Sequence, residues 1–286
     1  MSISIQRCTS LPELFQAIEG IKPPIMYLAG GTDLMVLLKA NLIPDSAWFD
    51  ISDIPDIKGI TVKDDMLVIG AATPFDEIYP DANVLKWAKA LSEAASNVGG
   101  PQIRARGTIG GNIANGSPAA DTLPALASLG AQVNLLSARG ERSVPIEGYA
   151  LGNRRTVREA DEIISSVSIP IRAGIKGAWK ALGARKALAI SKISLAVSAV
   201  LEQGSFSYLR IGLGSVAATV RRAPQAEEVL LNGGWNRETL EEACRIIQTE
   251  ISPIDDIRST AEYRKAMSGV LLHDALISAF GEAPTR

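Results

Sequence analysis

Met26-Tyr-Leu-Ala-Gly-Gly-Thr-Asp-Leu34 opens as a short apolar run, breaks at two glycines, and resumes as Leu34-Met-Val-Leu-Leu-Lys39. That is the pattern of a strand, a tight turn and a helix. Gly30 and Gly31 carry no Cβ and reach backbone angles closed to other residues, so their N–H groups can approach a ligand closely. An N–H-rich turn that leads into a helix N-terminus suits an anionic group such as phosphate. Asp33 would repel a bare phosphate and reads instead as a hydroxyl acceptor or a helix cap. Alone, the pair is also compatible with an ordinary strand-to-helix turn.

A second stretch changes that balance. Thr108-Ile-Gly-Gly-Asn-Ile-Ala-Asn-Gly-Ser-Pro-Ala-Ala-Asp121 again sets a Gly-Gly pair among small and hydroxyl-bearing residues, with little to fill a core. Two such cradles, far apart in sequence, can close on opposite sides of one extended, diphosphate-containing ligand.

Working outward, Ser10-Leu-Pro-Glu13 has the form of a capping box, and Leu11, Leu14, Phe15 and Ile18 follow at helical spacing. Strands are expected at 47–51, 59–62, 66–69 and 162–170, and a hairpin joins 133–136 to 142–146. One helix is expected over 84–95, with Leu85, Ala88 and Leu91 on one face, and another over 121–129. Asp50 and Asp53 read as solvated turn carboxylates. Arg104 and Arg106, in a connector without a period, suit an anion, a partner subunit or plain exposure. The segment 170–177 is the best domain boundary. Beyond it two strands, 194–201 and 207–216, precede helices near Pro224, Asn236 and the second capping box, Ser259-Thr-Ala-Glu262. Strands followed by segregated helices indicate an α+β unit.

Composition narrows the function. A chain of 286 residues has length for two domains and a substantial core. Net charge is −2 and no long Lys/Arg block is present, which disfavours nucleic acid. No apolar run reaches the roughly 18 residues of a membrane span, and the first residues lack a signal-peptide core, so the cytoplasm is the expected compartment. Cys8 and Cys244 form no metal-binding spacing and read as reduced, partly buried thiols. His273, the only histidine, reads as a helix-surface residue rather than a catalytic one. There is no P-loop and no GxGxxG. A nucleotide site without nucleophile, base or metal points to a redox cofactor that carries the chemistry itself.

Five motifs in this order, Leu28-Ala-Gly-Gly-Thr-Asp-Leu34, Gln102-Ile-Arg104 with Gly107-Thr-Ile-Gly-Gly-Asn112, Asp161-Glu-Ile-Ile164 with Ile169-Pro170, Arg185-Lys-Ala-Leu-Ala-Ile-Ser191, and Asp256-Ile-Arg-Ser-Thr-Ala-Glu-Tyr-Arg264, resemble the FAD-binding medium subunit of molybdenum hydroxylases, the xanthine dehydrogenase and carbon monoxide dehydrogenase group. The resemblance implies an α+β flavoprotein. Residues 1–172 would form a two-subdomain FAD-binding domain of the vanillyl-alcohol oxidase (PCMH) type, and 177–284 a C-terminal domain with a small antiparallel sheet and helices. It implies FAD in this chain, with molybdopterin in a large partner subunit and 2Fe-2S clusters in a small one, the whole a dimer of heterotrimers. This chain would deliver electrons to NAD, oxygen or another soluble acceptor.

By the same resemblance Tyr27, Leu28, Ala29, Gly30, Gly31, Thr32, Asp33 and Leu34 hold the ADP half and diphosphate. Thr108, Gly110, Gly111 and Asn112 close on the diphosphate and ribityl region, and Asp121 bonds the ribityl or flavin end. Ile163 or Ile164 lies near the adenine or flavin, Val98 covers a face of the isoalloxazine, and Lys180 approaches its polar edge. Related sequences show Lys-x-x-Arg-Arg-Lys where this chain reads Lys180-Ala-Leu-Gly-Ala-Arg-Lys186, so the lysine is displaced and Ala184 replaces an arginine. Two scattered cysteines cannot ligate the extra cluster of the hydroxybenzoyl-CoA reductase branch. The rival readings are a non-redox nucleotide-binding subunit and an assembly subunit without functional flavin.

Overall fold

A computed structural model of the chain describes residues 4–185 and 189–285. The middle of the Arg185–Ser191 motif, residues 186–188, lies outside them.

The first unit is a three-stranded parallel sheet of order β1-β3-β2, built from β1 (Ile5–Arg7), β2 (Ile25–Leu28) and β3 (Ala47–Asp50). Parallel neighbours need crossovers, and these are α1 (Leu11–Ile18) and α2 (Leu34–Lys39). Ser10 caps α1 by accepting from the Glu13 amide at 3.3 Å, as its capping box predicts, and Leu14 and Ile18, one turn apart, are buried. Asp33 precedes α2 but makes no cap bond, and the helix buries none of its residues. The cap reading of Asp33 is therefore corrected.

The second unit is a five-stranded antiparallel sheet of order β4-β5-β10-β6-β7. Its strands are β4 (Ile60–Lys63), β5 (Met66–Gly70), β6 (Gln132–Ser137), β7 (Gly140–Pro145) and β10 (Ile163–Pro170). Between β5 and β6 run α3 (Phe75–Ile78), α4 (Ala82–Trp87), α5 (Lys89–Asn97), α6 (Pro101–Arg104), α7 (Ile109–Asn115) and α8 (Thr122–Leu129). The single helix expected over 84–95 is two, because Ala88 leaves helical angles at φ −144, ψ 45. Leu85 consequently turns outward instead of sharing a buried face with Ala88 and Leu91. After β7 come α9 (Ile146–Tyr149) and a small ribbon of β8 (Ala150–Gly152) and β9 (Arg155–Thr156).

The third unit is an antiparallel sheet of order β11-β12-β13-β14, with β11 (Lys176–Leu182), β12 (Ile193–Glu202), β13 (Ser205–Gly214) and β14 (Arg221–Arg222). Its helices are α10 (Pro224–Gly233), α11 (Arg237–Ile246) and α12 (Ala261–Phe280). Sequence reasoning missed β11, whose Lys, Gly and Ala have low strand propensity. Pairing with β12 along its whole length, and a bond from the Trp179 amide to Glu93 Oε2 at 2.8 Å, hold it in the sheet. Thr260, not Ser259, caps α12 through the Tyr263 amide. Leu271, Leu272, Ala275 and Leu276 of α12 are buried, while Tyr263 and Val270 are exposed. Burial of one such leucine contributes roughly 1.5–3 kcal/mol. Among the described residues no helix is long and apolar enough to cross a membrane.

Helix α8 joins the units. All its residues are buried, Gly130 ends it at φ 69, and Ser128 Oγ meets Ser198 Oγ of β12 at 2.8 Å. A Cβ on Gly212 of β13 would lie 2.0 Å from the Pro124 carbonyl oxygen, so the C-terminal sheet rests directly on α8.

Candidate functional site

Two adjoining cavities, of about 530 and 900 Å³, occupy the space between these units, within the size range of small-molecule and cofactor sites. They share Val98, Asn112 and Asn115 as wall residues. The smaller is walled by the first glycine turn, by the second stretch from Gly107, and by Ile163 and Ile164. The larger lies between Asp121 and the loops of the C-terminal sheet.

The first turn presents donors. Gly31 takes φ +72, a left-handed angle, and no described group accepts from the amides of Gly30 to Leu34. Tyr27, Ala29, Gly30, Gly31, Thr32, Asp33 and Leu34 line the smaller cavity; Leu28 lies behind the turn, its carbonyl taken by the Ile51 amide at 2.9 Å. Tyr27 donates its hydroxyl to the Ala160 carbonyl at 3.0 Å, and burial pushes its pKa up to about 12. Gly30 serves packing as well, because a Cβ there would lie 1.8 Å from the Arg106 carbonyl oxygen. Leu37, Leu42, Ile43 and Pro44 give the far end of this cavity an apolar wall suited to an aromatic ring.

The second stretch is different. Thr108 caps α7 by accepting from the Gly111 amide at 3.1 Å, and the Gly110 amide donates to the Ala71 carbonyl at 2.8 Å. The expected amide cradle at Gly110 and Gly111 is thus already engaged within the protein. What faces the smaller cavity is Gly111, exposed and with only Thr108 Oγ1 near a would-be Cβ, together with the polar side chains of Asn112 and Asn115. Asn112 Oδ1 accepts from Thr122 at 2.5 Å, which leaves its amide N–H₂ to serve the cavity. Among the described residues nothing donates to the buried Asn115 Oδ1, an arrangement that costs free energy unless a ligand or water donates to it.

Asp121 lines the larger cavity. Burial raises its pKa to about 6 against the opposing bonds from Ser191 and Asn97. Ser191 Oγ donates to Asp121 Oδ1 at 2.7 Å, Ser215 Oγ donates to the Ser191 carbonyl at 3.1 Å, and Arg264 Nη1 donates to the Ser215 carbonyl at 3.0 Å. Arg264, only 4% exposed, binds Asp256 Oδ1 through Nη2 at 2.6 Å, and Asp256 also takes the Arg258 amide at 2.8 Å. Every member of this chain lines the larger cavity. Burial works to raise the Asp256 pKa, but Arg264 and the amides of Arg258 and Ser259 outweigh it and hold it near 2. Ser191, Asp256 and Arg264 belong to motifs that gave no role in sequence; the structure makes them one wall.

Other expectations resolve locally. Lys180 is not brought to either cavity: it sits on β11 and donates to Ser278 Oγ of α12 at 3.1 Å. Arg104 clamps its own connector, donating to the Gly99 carbonyl at 3.0 Å, with Asp76 beside it at 3.5 Å. Asp50 accepts the Ser52 amide at 2.9 Å and Asp53 pairs with Arg7 at 2.5 Å, as turn carboxylates do. Cys8 and Cys244 are free, His273 is exposed on α12, and among the described residues no cluster of metal-ligating side chains occurs. Sequence reasoning missed Arg154 and Arg158, which reach the smaller cavity from the β8–β9 ribbon and the loop after it.

Unpaired amides at one end, an orphaned acceptor at the junction and two connected cavities fit an elongated dinucleotide such as FAD. The comparisons agree. Residues 1–172 match the family model of the FAD-binding domain in molybdopterin dehydrogenase, and residues 178–279 that of the CO dehydrogenase flavoprotein C-terminal domain. The xanthine dehydrogenase FAD-binding subunit of Escherichia coli O157:H7 is 33% identical over 267 residues, 91% of each chain. The carbon monoxide dehydrogenase medium chain of Hydrogenophaga pseudoflava is 32% identical over 255 residues, 88% of each. A solved carbon monoxide dehydrogenase structure from Hydrogenophaga pseudoflava superimposes with a TM-score of 0.93 at 30% identity over 99% of both chains, and quinoline 2-oxidoreductase from Pseudomonas putida 86 with 0.90 at 25% over 98% of this chain and 97% of that one.

Proposed function

The chain belongs to the FAD-binding medium subunits of molybdenum hydroxylases, of the xanthine dehydrogenase and CO dehydrogenase flavoprotein type, and from that premise we propose that it is the electron-output subunit of such an oxidoreductase complex. In this reading it holds FAD and passes electrons from a partner's iron–sulfur clusters to NAD, oxygen or another soluble acceptor. Bound flavin supplies the exchange between one-electron and two-electron transfer. The protein's own part is to bind, orient and shield it.

The observation that carries the reading is the run of unpaired amides from Gly30 to Leu34 opening on a cavity with an apolar far wall. These amides take the diphosphate, Leu37, Leu42 and Ile43 cover the adenine, and Ile163 and Ile164 close that end. Asn112, Asn115 and the open surface at Gly111 guide the ribityl chain, with Thr108 and Gly110 fixing α7 behind them. Val98, common to both cavities, meets the isoalloxazine, and Asp121 with its hydrogen-bonded wall sets the polar surroundings of the ring. Lys180 has no part in this assignment. The partners are a large molybdopterin subunit and a small 2Fe-2S subunit, assembled as a dimer of heterotrimers. Relatives named for xanthine, carbon monoxide and nicotinate all align along most of this chain, which supports placing substrate choice in the large subunit.

An absorption spectrum of the purified chain, with the cofactor identified after denaturation, tests this. Released FAD, or FAD taken up by colourless protein, is the expected result. Folded protein that takes up no FAD would return the chain to a non-redox or assembly role.

A further inference from the structure

A carboxylate among amides meant for a diphosphate poses an electrostatic problem, and the structure contains its answer. Asp33 lines the smaller cavity within the Gly30–Leu34 run, and both its oxygens are taken by one side chain 121 residues away. Arg154 Nη1 donates to Oδ2 at 2.9 Å and Nη2 to Oδ1 at 3.1 Å, a two-pronged fork. Arg154 stands at the tip of the β8–β9 ribbon at φ +57, an angle uncommon for a residue with a side chain. Its neighbour Asn153 lines the larger cavity while Arg154 lines the smaller, so the ribbon tip straddles the junction of the two. Among the described residues nothing else accepts from Arg154, which leaves Nε and one N–H on each Nη for a ligand. The other arginine of this cavity, Arg158, has Nη1 engaged by the carbonyls of Glu159 and Glu162 at 2.9 and 2.6 Å.

We propose that Arg154 is a cofactor-anchoring residue: oriented by Asp33, it cancels that carboxylate's charge at the glycine turn and donates its spare N–H groups to the diphosphate of the bound dinucleotide. This rests on the FAD reading above. Removing the guanidinium does two kinds of damage, because a bond donor is lost and an uncompensated carboxylate is left facing the diphosphate. Removing both groups does only the first.

The experiment is FAD titration of the full-length apoprotein, followed by flavin fluorescence, for wild type, Arg154→Gln, Arg154→Lys, Asp33→Asn and the Asp33→Asn/Arg154→Gln double variant, with apoprotein melting recorded for each. Arg154→Gln is expected to weaken FAD binding about 10- to 100-fold, the range of a lost charge-assisted bond. The double variant should recover part of that loss, and Arg154→Lys should fall between, since an ammonium keeps the charge but not the fork. Riboflavin, which lacks the diphosphate, should bind all variants alike. The apoprotein melting temperature should move little, because the pair is half exposed. Arg154→Gln protein that binds FAD like wild type, a double variant no better than Arg154→Gln, or a melting temperature that falls with affinity would each overturn the proposal. Wild-type protein without FAD affinity would overturn the FAD reading itself, and this inference with it.

Discussion

The two glycine pairs look alike in sequence and act differently in the fold. Gly30-Gly31 leaves the amides that follow it unpaired and open to a cavity. At Gly110-Gly111 the amides bond to Ala71 and Thr108 instead, and the stretch offers the cavity an open surface and two asparagine side chains. Absence of a side chain tells that something comes close; it does not tell what. A Cβ would lie 1.8 Å from the Arg106 carbonyl oxygen at Gly30 and 2.7 Å from the Ala71 carbonyl oxygen at Gly110, whereas at Gly111 the one close atom is Thr108 Oγ1, at 3.1 Å.

The largest effect expected from this contrast is on stability. Gly30→Ala would put a Cβ 1.8 Å from the Arg106 carbonyl oxygen, and Gly110→Ala one 2.5 Å from the Ala71 Cβ. Each should cost about 3 kcal/mol or more and lower the melting temperature by near 10 °C. Gly111→Ala, read in the same melting experiment, should stay within about 1 kcal/mol of wild type. A reversed order would break the comparison. Next is Gly111→Glu, which places bulk and charge in the cavity from an exposed position; the purified protein should be folded and carry no FAD, measured as the flavin-to-protein absorbance ratio. Full flavin occupancy in a folded Gly111→Glu protein would remove this surface from the site.

The last effect is graded in pH rather than set by a substitution, and concerns Asp121, where the second stretch ends. Its folded pKa of about 6 lies above the ordinary carboxylate value of 3.8, so between those values the folded protein keeps a proton that the unfolded chain has released. Stability therefore falls as pH rises through that window and is level above it, by roughly 3 kcal/mol at most. Urea midpoints of the apoprotein at several pH values should show this slope, and Asp121→Asn should flatten it. An Asp121→Asn slope equal to wild type would assign the dependence to other groups.

Much of the architecture was legible because it rests on local rules. Apolar runs bounded by turn residues marked β5, β6, β10 and β12, and Ser10 marked the start of α1. What was not legible depends on distant partners. Strand β11 exists because β12 pairs with it and Glu93 takes the Trp179 amide. The break at Ala88 has no Gly or Pro to announce it. In the site, the small residues and Asp121 could be named from sequence, but the occupancy of the Gly110 amide could not, since Ala71 lies far back in the chain; the Gly111 amide is taken by Thr108, a local cap three residues earlier. Arg154 was invisible for the same reason, as it meets Asp33 only after the fold closes. Lys180 lies where α12 draws it, toward Ser278.

The hydrogen-bonded wall from Asp121 through Ser191, Ser215 and Arg264 to Asp256 crosses from the N-terminal match to the C-terminal one. In evolutionary terms it ties the inheritance of the two modules together. The glycine turn and the smaller cavity it borders lie wholly within the first module, while the larger cavity is a joint property of both. A C-terminal module without a serine at position 191 would take that donor from Asp121, so the two halves are coupled through this wall even though each matches a family model by itself.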